Sequence, residues 1–156
     1  MPDTIATDNP FSDNERGTLL ALVGAVIPAS VERGVPGADD ANIAADILAT
    51  ARPHHAAVAR ALNQIESTAA KRYDAAYPDL DAATRARIAS ELSRSRFAGV
   101  GTLVTIAVQC YYRDDRVMRS LGMAPRSPYP DGFEVPQGDW SLLEPVRKRG
   151  TIYREV

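Results

Sequence analysis

The sequence predicts an all-α protein, a small bundle of about five to six helices followed by an extended, proline-rich C-terminal arm. Of the 156 residues 45% are hydrophobic but only 6% are aromatic. Alanine supplies much of the apolar content, which favours closely packed helices over a β-sandwich. Apolar residues also recur at spacings of three and four between proline and glycine breaks. We expect a bundle domain at 1–124 and an arm at 125–156.

The first helix is predicted from Ser12 to about Ile27. Ser12 and Glu15 form the S-x-x-E pattern of a capping box, in which each side chain accepts a hydrogen bond from the other residue's backbone N–H. Pro28 marks the end, because proline cannot continue a helix. The predicted apolar face consists of Leu19, Leu20, Val23, Val26 and Ile27.

A loop rich in glycine and proline is predicted at 29–40, between the first helix and the second. Its last residues, Asp39 and Asp40, can cap a second helix that runs to about Thr50. Pro53 then begins a third helix, because its fixed φ angle suits a first turn. The predicted buried positions of these two helices are Ile43, Ile47, Leu48, Val58, Ala61, Leu62, Ile65, Ala69 and Tyr73.

Three further helices are predicted before Gly122. Asp81 caps the fourth, whose inner side carries Ile88 and Leu92. The fifth, at 97–112, is apolar on nearly all sides, so we expect it in the middle of the bundle, shielded by its neighbours. The sixth, at 115–121, is short, and Gly122 is placed for a left-handed C-terminal cap.

Glycines inside the fifth helix need an explanation, since an internal glycine costs about 1 kcal/mol relative to alanine. The GVG at Gly99 to Gly101 has no third glycine and follows no strand, and GVPGADD at 34–40 lacks the Lys-Ser/Thr of a phosphate loop. We therefore expect Gly99 and Gly101 to permit the close approach of a neighbouring helix.

The residues that could carry chemistry have simpler structural explanations. His54 and His55 point about 100° apart on a helix and cannot share a metal as residues i and i+4 can. Cys110 lies on the most apolar helix, where burial makes a thiol poorly nucleophilic. The pairs Asp39–Asp40 and Asp114–Asp115 lie at predicted helix N-termini, where negative charge is favourable, so helix capping explains them. We expect no catalytic, cofactor-binding or metal-binding residue in this chain.

Charge and hydropathy disfavour several classes of protein. The net charge is −2 and the basic residues are spread along the chain, which does not predict a nucleic-acid partner. The apolar stretches are shorter than the roughly 20 residues that span a bilayer, so no direct membrane insertion is expected. A single cysteine excludes an internal disulfide.

The arm is the most unusual part of the sequence. Five prolines follow Gly122, and no helical period persists beyond a turn at 141–149. Its aromatic and leucine residues are too apolar for a disordered tail, so the arm should be bound to something. Two interpretations stay open. Trp140 and its neighbours fold back over their own bundle and close its core, or they face a partner, since Trp with flanking Leu, Tyr and Arg is typical of interface anchors. Both can hold together, with one edge of the arm packed inward and the other facing a partner.

Five segments, in chain order, carry a resemblance to a known family. They are LLALVGAVIPAS at 19–30, GVPGADD at 34–40, YPDLDAATR at 77–85, YYRDDRVMRSLGM at 111–123 and GDWSLLEPVRKRGTIYR at 138–154. Together they resemble the gluconate 2-dehydrogenase subunit 3 family. Its members are small subunits of FAD-dependent sugar and alcohol dehydrogenases whose large subunit belongs to the glucose-methanol-choline oxidoreductase group.

The resemblance implies a non-catalytic accessory subunit that binds and stabilises a flavoprotein dehydrogenase in a heteromeric complex. It implies no flavin, haem or metal in this chain, with FAD in the large subunit, and some members also work beside a cytochrome c subunit. We expect the partner-binding residues on the 29–40 loop and its flank and on the arm. They are Pro28, Val35, Pro36, Tyr129, Phe133, Trp140, Leu143, Pro145, Val146, Arg147 and Tyr153.

An alternative interpretation is a stand-alone helical enzyme or a small-ligand-binding domain. Its pocket would lie near Tyr111, Tyr112 and Arg113, with acids from Asp114 or Asp115. For the cellular location, many family members carry a twin-arginine export signal, and residues 1–14 contain no arginine pair. We expect a cytoplasmic complex, with the periplasm as the alternative if a signal-bearing partner exports it.

Overall fold

A computed structural model describes residues 9–94, 98–127, 129–130, 132 and 134–150. Contacts divide the chain into two compact units, Met1–Pro125 and Arg126–Val156. Apart from an isolated antiparallel bridge between Ser30 and Val35, the regular structure of the described residues is helical. The predicted all-α fold is confirmed.

The described residues of the first unit contain six α-helices. Helix α5 packs on α2, α3 and α6, and α1 packs on α3 and α4. The predicted central place of the fifth helix is therefore confirmed. Short 3-10 turns at Arg52–His54 and Tyr77–Asp79 complete the unit. The helices are α1 (Asp13–Val26), α2 (Ala41–Ala51), α3 (His55–Tyr73), α4 (Ala82–Arg94), α5 (Ala98–Arg113) and α6 (Asp115–Ser120).

The start of α1 follows the predicted capping box. The backbone N–H of Ser12 donates to Glu15 Oε2 at 2.8 Å, and the N–H of Glu15 donates to Ser12 Oγ at 3.3 Å. The buried face differs from the predicted one, because Leu22 is buried with Val23 whereas Leu20 is half-buried. Leu22 lies in the stripe at spacings of three and four that faces the core, and Leu20 lies on its border.

The junction between α2 and α3 differs from the prediction. Asp40 caps α2 by accepting a hydrogen bond from the N–H of Asn42 at 3.1 Å, as expected. Pro53, however, lies in a 3-10 turn, and α3 begins at His55. Proline has no N–H with which to extend the hydrogen bonding of α2, so the chain tightens for one turn before the next helix.

The ends of α4 and α6 confirm the predicted caps. The N–H of Thr84 donates to Asp81 Oδ1 at 2.9 Å at the start of α4. Gly122 has φ +74°, and the N–H of Met123 reaches the carbonyl of Met118 at 3.0 Å. This left-handed ending satisfies a carbonyl that the helix itself leaves unpaired.

Helix α5 is central but not shielded on all sides. Val108 is 38% exposed and Tyr112 is 55% exposed. The prediction that its neighbours shield this helix was wrong on this side, because the five helices that contact α5 leave part of its circumference uncovered. Apolar character on every side of a helix does not by itself require a neighbour on every side.

The two glycines of α5 have different surroundings. A Cβ on Gly99 would overlap the carbonyl oxygen of Ala57 on α3, so the predicted close approach is confirmed there. A Cβ on Gly101 would meet no atom within 4 Å beyond its chain neighbours and the nearby backbone of its own helix. The prediction for Gly101 was wrong, because this residue is on the exposed side of α5.

A buried polar seam supports the apolar core. Glu66 on α3 accepts hydrogen bonds from the Thr18 hydroxyl on α1 and, at 3.2 Å, from the N–H of Tyr77. Tyr77 is fully buried, and its hydroxyl donates to the carbonyl of Arg85 at 3.0 Å. Burial raises the pKa of Tyr77 to about 12. The largest buried aliphatic side chains are Leu19, Leu22, Ile43, Ile47, Leu62, Ile65, Ile88 and Leu103.

The second unit contains a short helical segment. A 3-10 turn at Trp140–Leu143 leads directly into α7 (Glu144–Lys148). Asp139 begins this segment by accepting a hydrogen bond from the N–H of Ser141 at 2.9 Å. Among the described helices, none combines the length and the apolar character that crossing a bilayer requires.

Candidate interaction surfaces

Large apolar side chains of the second unit are exposed to solvent. Trp140, Leu142, Leu143 and Val146 lie within seven consecutive residues of the 3-10 turn and α7 and are named here the arm surface. Their exposed fractions are 65%, 73%, 40% and 58%. Isolated exposed apolar residues are normal on proteins, whereas a concentration of this kind is a candidate interaction surface.

Local hydrogen bonds hold the arm surface in a defined shape. Hydrogen bonds from Ser141 hold the Asp139 carboxylate at the start of the turn, and the same bonds lower its pKa. Pro145 stands in the first turn of α7, where its missing N–H costs nothing. A shallow cavity of about 340 Å³ opens here, lined by Gly138, Asp139, Trp140, Leu142 and Leu143.

The remaining predicted arm residues occupy varied places. Tyr129 is 85% exposed, and Arg147 on α7 pairs with Glu144 at 3.3 Å. Phe133 and Tyr153 lie outside the described residues. Leu142 is one of the arm leucines expected to be bound, although it is not among the predicted partner-binding residues, and it is exposed like Trp140.

The loop of the first unit forms a hydrogen-bonded turn at 30–35. Ser30 and Val35 exchange backbone hydrogen bonds at 3.0 and 3.1 Å, and Gly34 takes φ +62°. Val31, at the tip, is 97% exposed. Of the predicted loop residues, Pro28 is exposed whereas Val35 and Pro36 are half-buried. The 30–35 turn therefore projects an apolar side chain on a constrained backbone.

Ion pairs join the end of this loop to α6. Arg116 donates to Asp40 Oδ1 at 2.7 Å and to Asp114 Oδ2 at 2.9 Å. These bonds hold the pKa values of both carboxyls below their usual range. Asp40 and Asp114 are also the N-caps of α2 and α6, so the capping explanation is confirmed for them. Asp39 instead packs beside Gly24 and Gly37.

A cleft lies beside the segment that the ligand-binding alternative singled out. It has a volume of about 220 Å³, and its lining residues, named here the α5–α6 cleft, are Arg33, Val35, Tyr111, Tyr112, Val117, Ser120 and Leu121. Tyr111 and Tyr112 therefore take part as that alternative expected. Arg113 does not, because it pairs with Asp46 at 2.6 Å. Asp114 and Asp115 are also absent from the lining.

The histidines and the cysteine have separate surroundings, and the Nε2 atom of His55 is buried without a hydrogen-bond partner among the described residues. His54 is exposed, while the ring of His55 meets Phe11 edge-on at 4.8 Å between centroids. Cys110 is 2% exposed with its Sγ 3.5 Å from Thr50 Oγ1, and burial raises the pKa of the thiol. Within the described part of the chain, no three His, Cys, Asp or Glu residues are grouped as metal ligands would be.

Comparison with known proteins identifies a family. A family model described as gluconate 2-dehydrogenase subunit 3 matches residues 13–122, which are 110 of the 156 residues. No curated protein and no solved structure matches the chain. The matched segment contains α1 to α6 and ends at Gly122, so the arm surface lies outside it.

Proposed function

The chain belongs to the gluconate 2-dehydrogenase subunit 3 family, and on that premise we propose that it is the accessory small subunit of an FAD-dependent sugar or alcohol dehydrogenase. It binds and stabilises the flavoprotein large subunit, which holds the FAD and carries out the oxidation. Membership of a subunit family implies a multi-subunit dehydrogenase complex. The substrate is then selected in the large subunit.

The arm surface is the observation that carries this proposal. Trp140, Leu142 and Val146 are each more than half exposed, although burial of apolar surface stabilises proteins by roughly 25 cal/mol for each Å². Tryptophan is also among the residues that most often dominate the binding energy of interfaces. A partner that covers these side chains removes their apolar surface from water, and this burial stabilises the complex.

The polar groups of the first unit support the same assignment. Glu66 and the Tyr77 hydroxyl bond to backbone or side-chain groups of neighbouring helices. Arg116 is occupied by Asp40 and Asp114. Each of these groups serves the helix arrangement, which suits a scaffold whose role is binding rather than proton transfer.

Co-purification tests the proposal directly. The tagged chain, co-expressed with the flavoprotein subunit of its own complex, is expected to yield a yellow eluate with a second, larger polypeptide and a flavin absorbance spectrum. The double variant Trp140→Asp/Val146→Asp is expected to lose that polypeptide, because two carboxylates cannot be buried unpaired in an apolar interface. A colourless single band from the unmodified chain contradicts the proposal and favours the ligand-binding alternative.

A matched control and a local probe sharpen this experiment. Val108→Asp introduces a carboxylate at a partly exposed valine of α5, outside the arm surface, and is expected to retain the partner. Trp140 is the only tryptophan, so 5-fluorotryptophan in this chain gives a single ¹⁹F resonance. Addition of the unlabelled large subunit is expected to shift and broaden that resonance, whereas an unchanged resonance in a formed complex excludes Trp140 from the interface.

A further inference from the structure

The α5–α6 cleft is shaped for a side chain rather than for a free small molecule. Its volume is about 220 Å³, below the roughly 300–1,000 Å³ of typical small-molecule pockets. Val35, Val117 and Leu121 provide apolar walls, and Leu121 and Tyr112 are each 55% exposed. The cleft is therefore a small, open and largely apolar receptor.

One wall of the cleft is held in place by hydrogen bonds. Arg33 and Val35 belong to the 30–35 turn, in which the N–H of Arg33 donates to Ser30 Oγ at 3.3 Å. The other walls belong to α5 and α6, and Arg116 joins the start of α6 to the N-cap of α2. A receptor that is ordered before binding loses little entropy when it is filled.

The charge of Arg33 is uncompensated within the described residues. The other arginines at this end pair with carboxylates, namely Arg113 with Asp46, Arg116 with Asp40 and Asp114, and Arg119 with Asp115. Arg33 makes no such pair with a described residue. Arginine and tyrosine are enriched at protein interfaces, so this group of side chains is typical of a contact site. The positive charge of Arg33 favours a carboxylate on the partner.

The cleft also lies within the part of the chain that matches the family. All of its lining residues fall between 13 and 122, whereas the arm surface lies outside that range. We propose that the α5–α6 cleft is a second docking site for the flavoprotein large subunit, receiving an apolar side chain of that subunit with a neighbouring Asp or Glu paired to Arg33. This inference rests on the proposed function and names the chemistry of one of its contacts.

Charge reversal at Arg33 tests the contact in the co-expressed complex. Arg33→Glu is expected to weaken the affinity for the large subunit at least about tenfold, because it places like charges together. Leu121→Asp is expected to weaken it similarly by introducing an unpaired charge. Arg60→Glu is the matched control, since Arg60 is exposed on α3 and does not line the cleft. The affinity of this variant for the large subunit is expected to stay within about twofold of wild type. Circular dichroism of each variant checks that it is folded.

Cross-linking identifies the opposing carboxylate. The sequence has only two lysines, Lys71 and Lys148, so Arg33→Lys adds one amine that a carbodiimide can join to a carboxylate in contact with it. Mass spectrometry is expected to find a peptide that links position 33 to an Asp or Glu of the large subunit beside an apolar residue. Arg60→Lys is expected to give no such peptide.

The possible outcomes separate this inference from the proposed function. If the unmodified chain forms no complex with the large subunit, both are overturned. If the complex forms but Arg33→Glu and Leu121→Asp bind as Arg60→Glu does, with no cross-link at position 33, the docking site is overturned and the accessory role stands. Weakened binding of both variants together with the cross-link supports the docking site.

Discussion

The leucines of the bundle core and those of the arm surface have opposite environments. In the first unit Leu19, Leu62 and Leu103 are at most 1% exposed, whereas in the second Leu142 is 73% exposed. The first unit has helices with an apolar stripe and neighbours that cover it, while the described part of the second has one 3-10 turn and one helix of five residues. Apolar side chains therefore stabilise a fold only where neighbouring helices are present to bury them.

Matched leucine substitutions give the largest test of this contrast. Leu103→Ala is expected to lower the free energy of unfolding by about 2–5 kcal/mol, because it leaves a cavity in the core. Leu142→Ala is expected to change it by less than about 0.5 kcal/mol, as for other exposed positions. Urea denaturation monitored by circular dichroism measures both. Comparable losses for the two variants would show that the arm surface is part of the stabilised structure.

Matched glycine substitutions on α5 sharpen the contrast within the first unit. Gly99→Ala is expected to destabilise by about 1–3 kcal/mol, because the added methyl overlaps the Ala57 carbonyl and forces α3 and α5 apart. Gly101→Ala is expected to stabilise by about 0.5–1 kcal/mol, since alanine suits a helix and the site is open. Thermal melting curves show whether each variant lowers or raises the melting temperature. Equal shifts for the two variants would contradict the close approach at Gly99.

Alkaline titration compares a buried tyrosine with an exposed one. The folded-state pKa of Tyr77 is raised to about 12 from 10.0, so its protonated form stabilises the fold below pH 10 and that contribution is lost as the pH rises from 10 to 12. The loss is expected to reach up to about 2 kcal/mol in this window. Tyr77→Phe should remove this part of the pH dependence, whereas Tyr129→Phe, at an 85% exposed position, should retain it. Urea denaturation across this range measures the difference.

Cap substitutions give the smallest expected effect. Ser12→Ala removes the capping box of α1 and is expected to lower the free energy of unfolding by about 1 kcal/mol. Asp139→Ala removes the corresponding cap of the Trp140–Leu143 turn and is expected to leave global unfolding unchanged within about 0.5 kcal/mol. A clear loss for Asp139→Ala in urea denaturation would show that the two units unfold together.

Local signals in the sequence predicted most of the bundle. The caps at Ser12, Asp40, Asp81 and Gly122 depend on side chains within a few residues of the helix ends, so their patterns are readable without tertiary structure. The misplaced start of α3 at Pro53 has the same origin, because a proline suits both an α-helical first turn and a 3-10 turn.

Features set by distant neighbours could not be predicted in the same way. Gly99 and Gly101 have equivalent local sequence, and only the position of α3 distinguishes them. The α5–α6 cleft likewise joins Arg33 to Leu121, which are far apart along the chain. The arm surface was predictable at Trp140, Leu143 and Val146 from composition, but the exposure of these residues depends on what surrounds them.

The buried thiol of Cys110 gives this protein an internal reporter of motion. It is the only cysteine, on α5 beside Thr50 of α2, and is 2% exposed. A thiol reagent can react only when the contact between α2 and α5 opens, so the rate of labelling measures the free energy of that opening under native conditions. Because the α5–α6 cleft begins on the same helix, occupation of the cleft should slow the labelling without touching the sulfur atom.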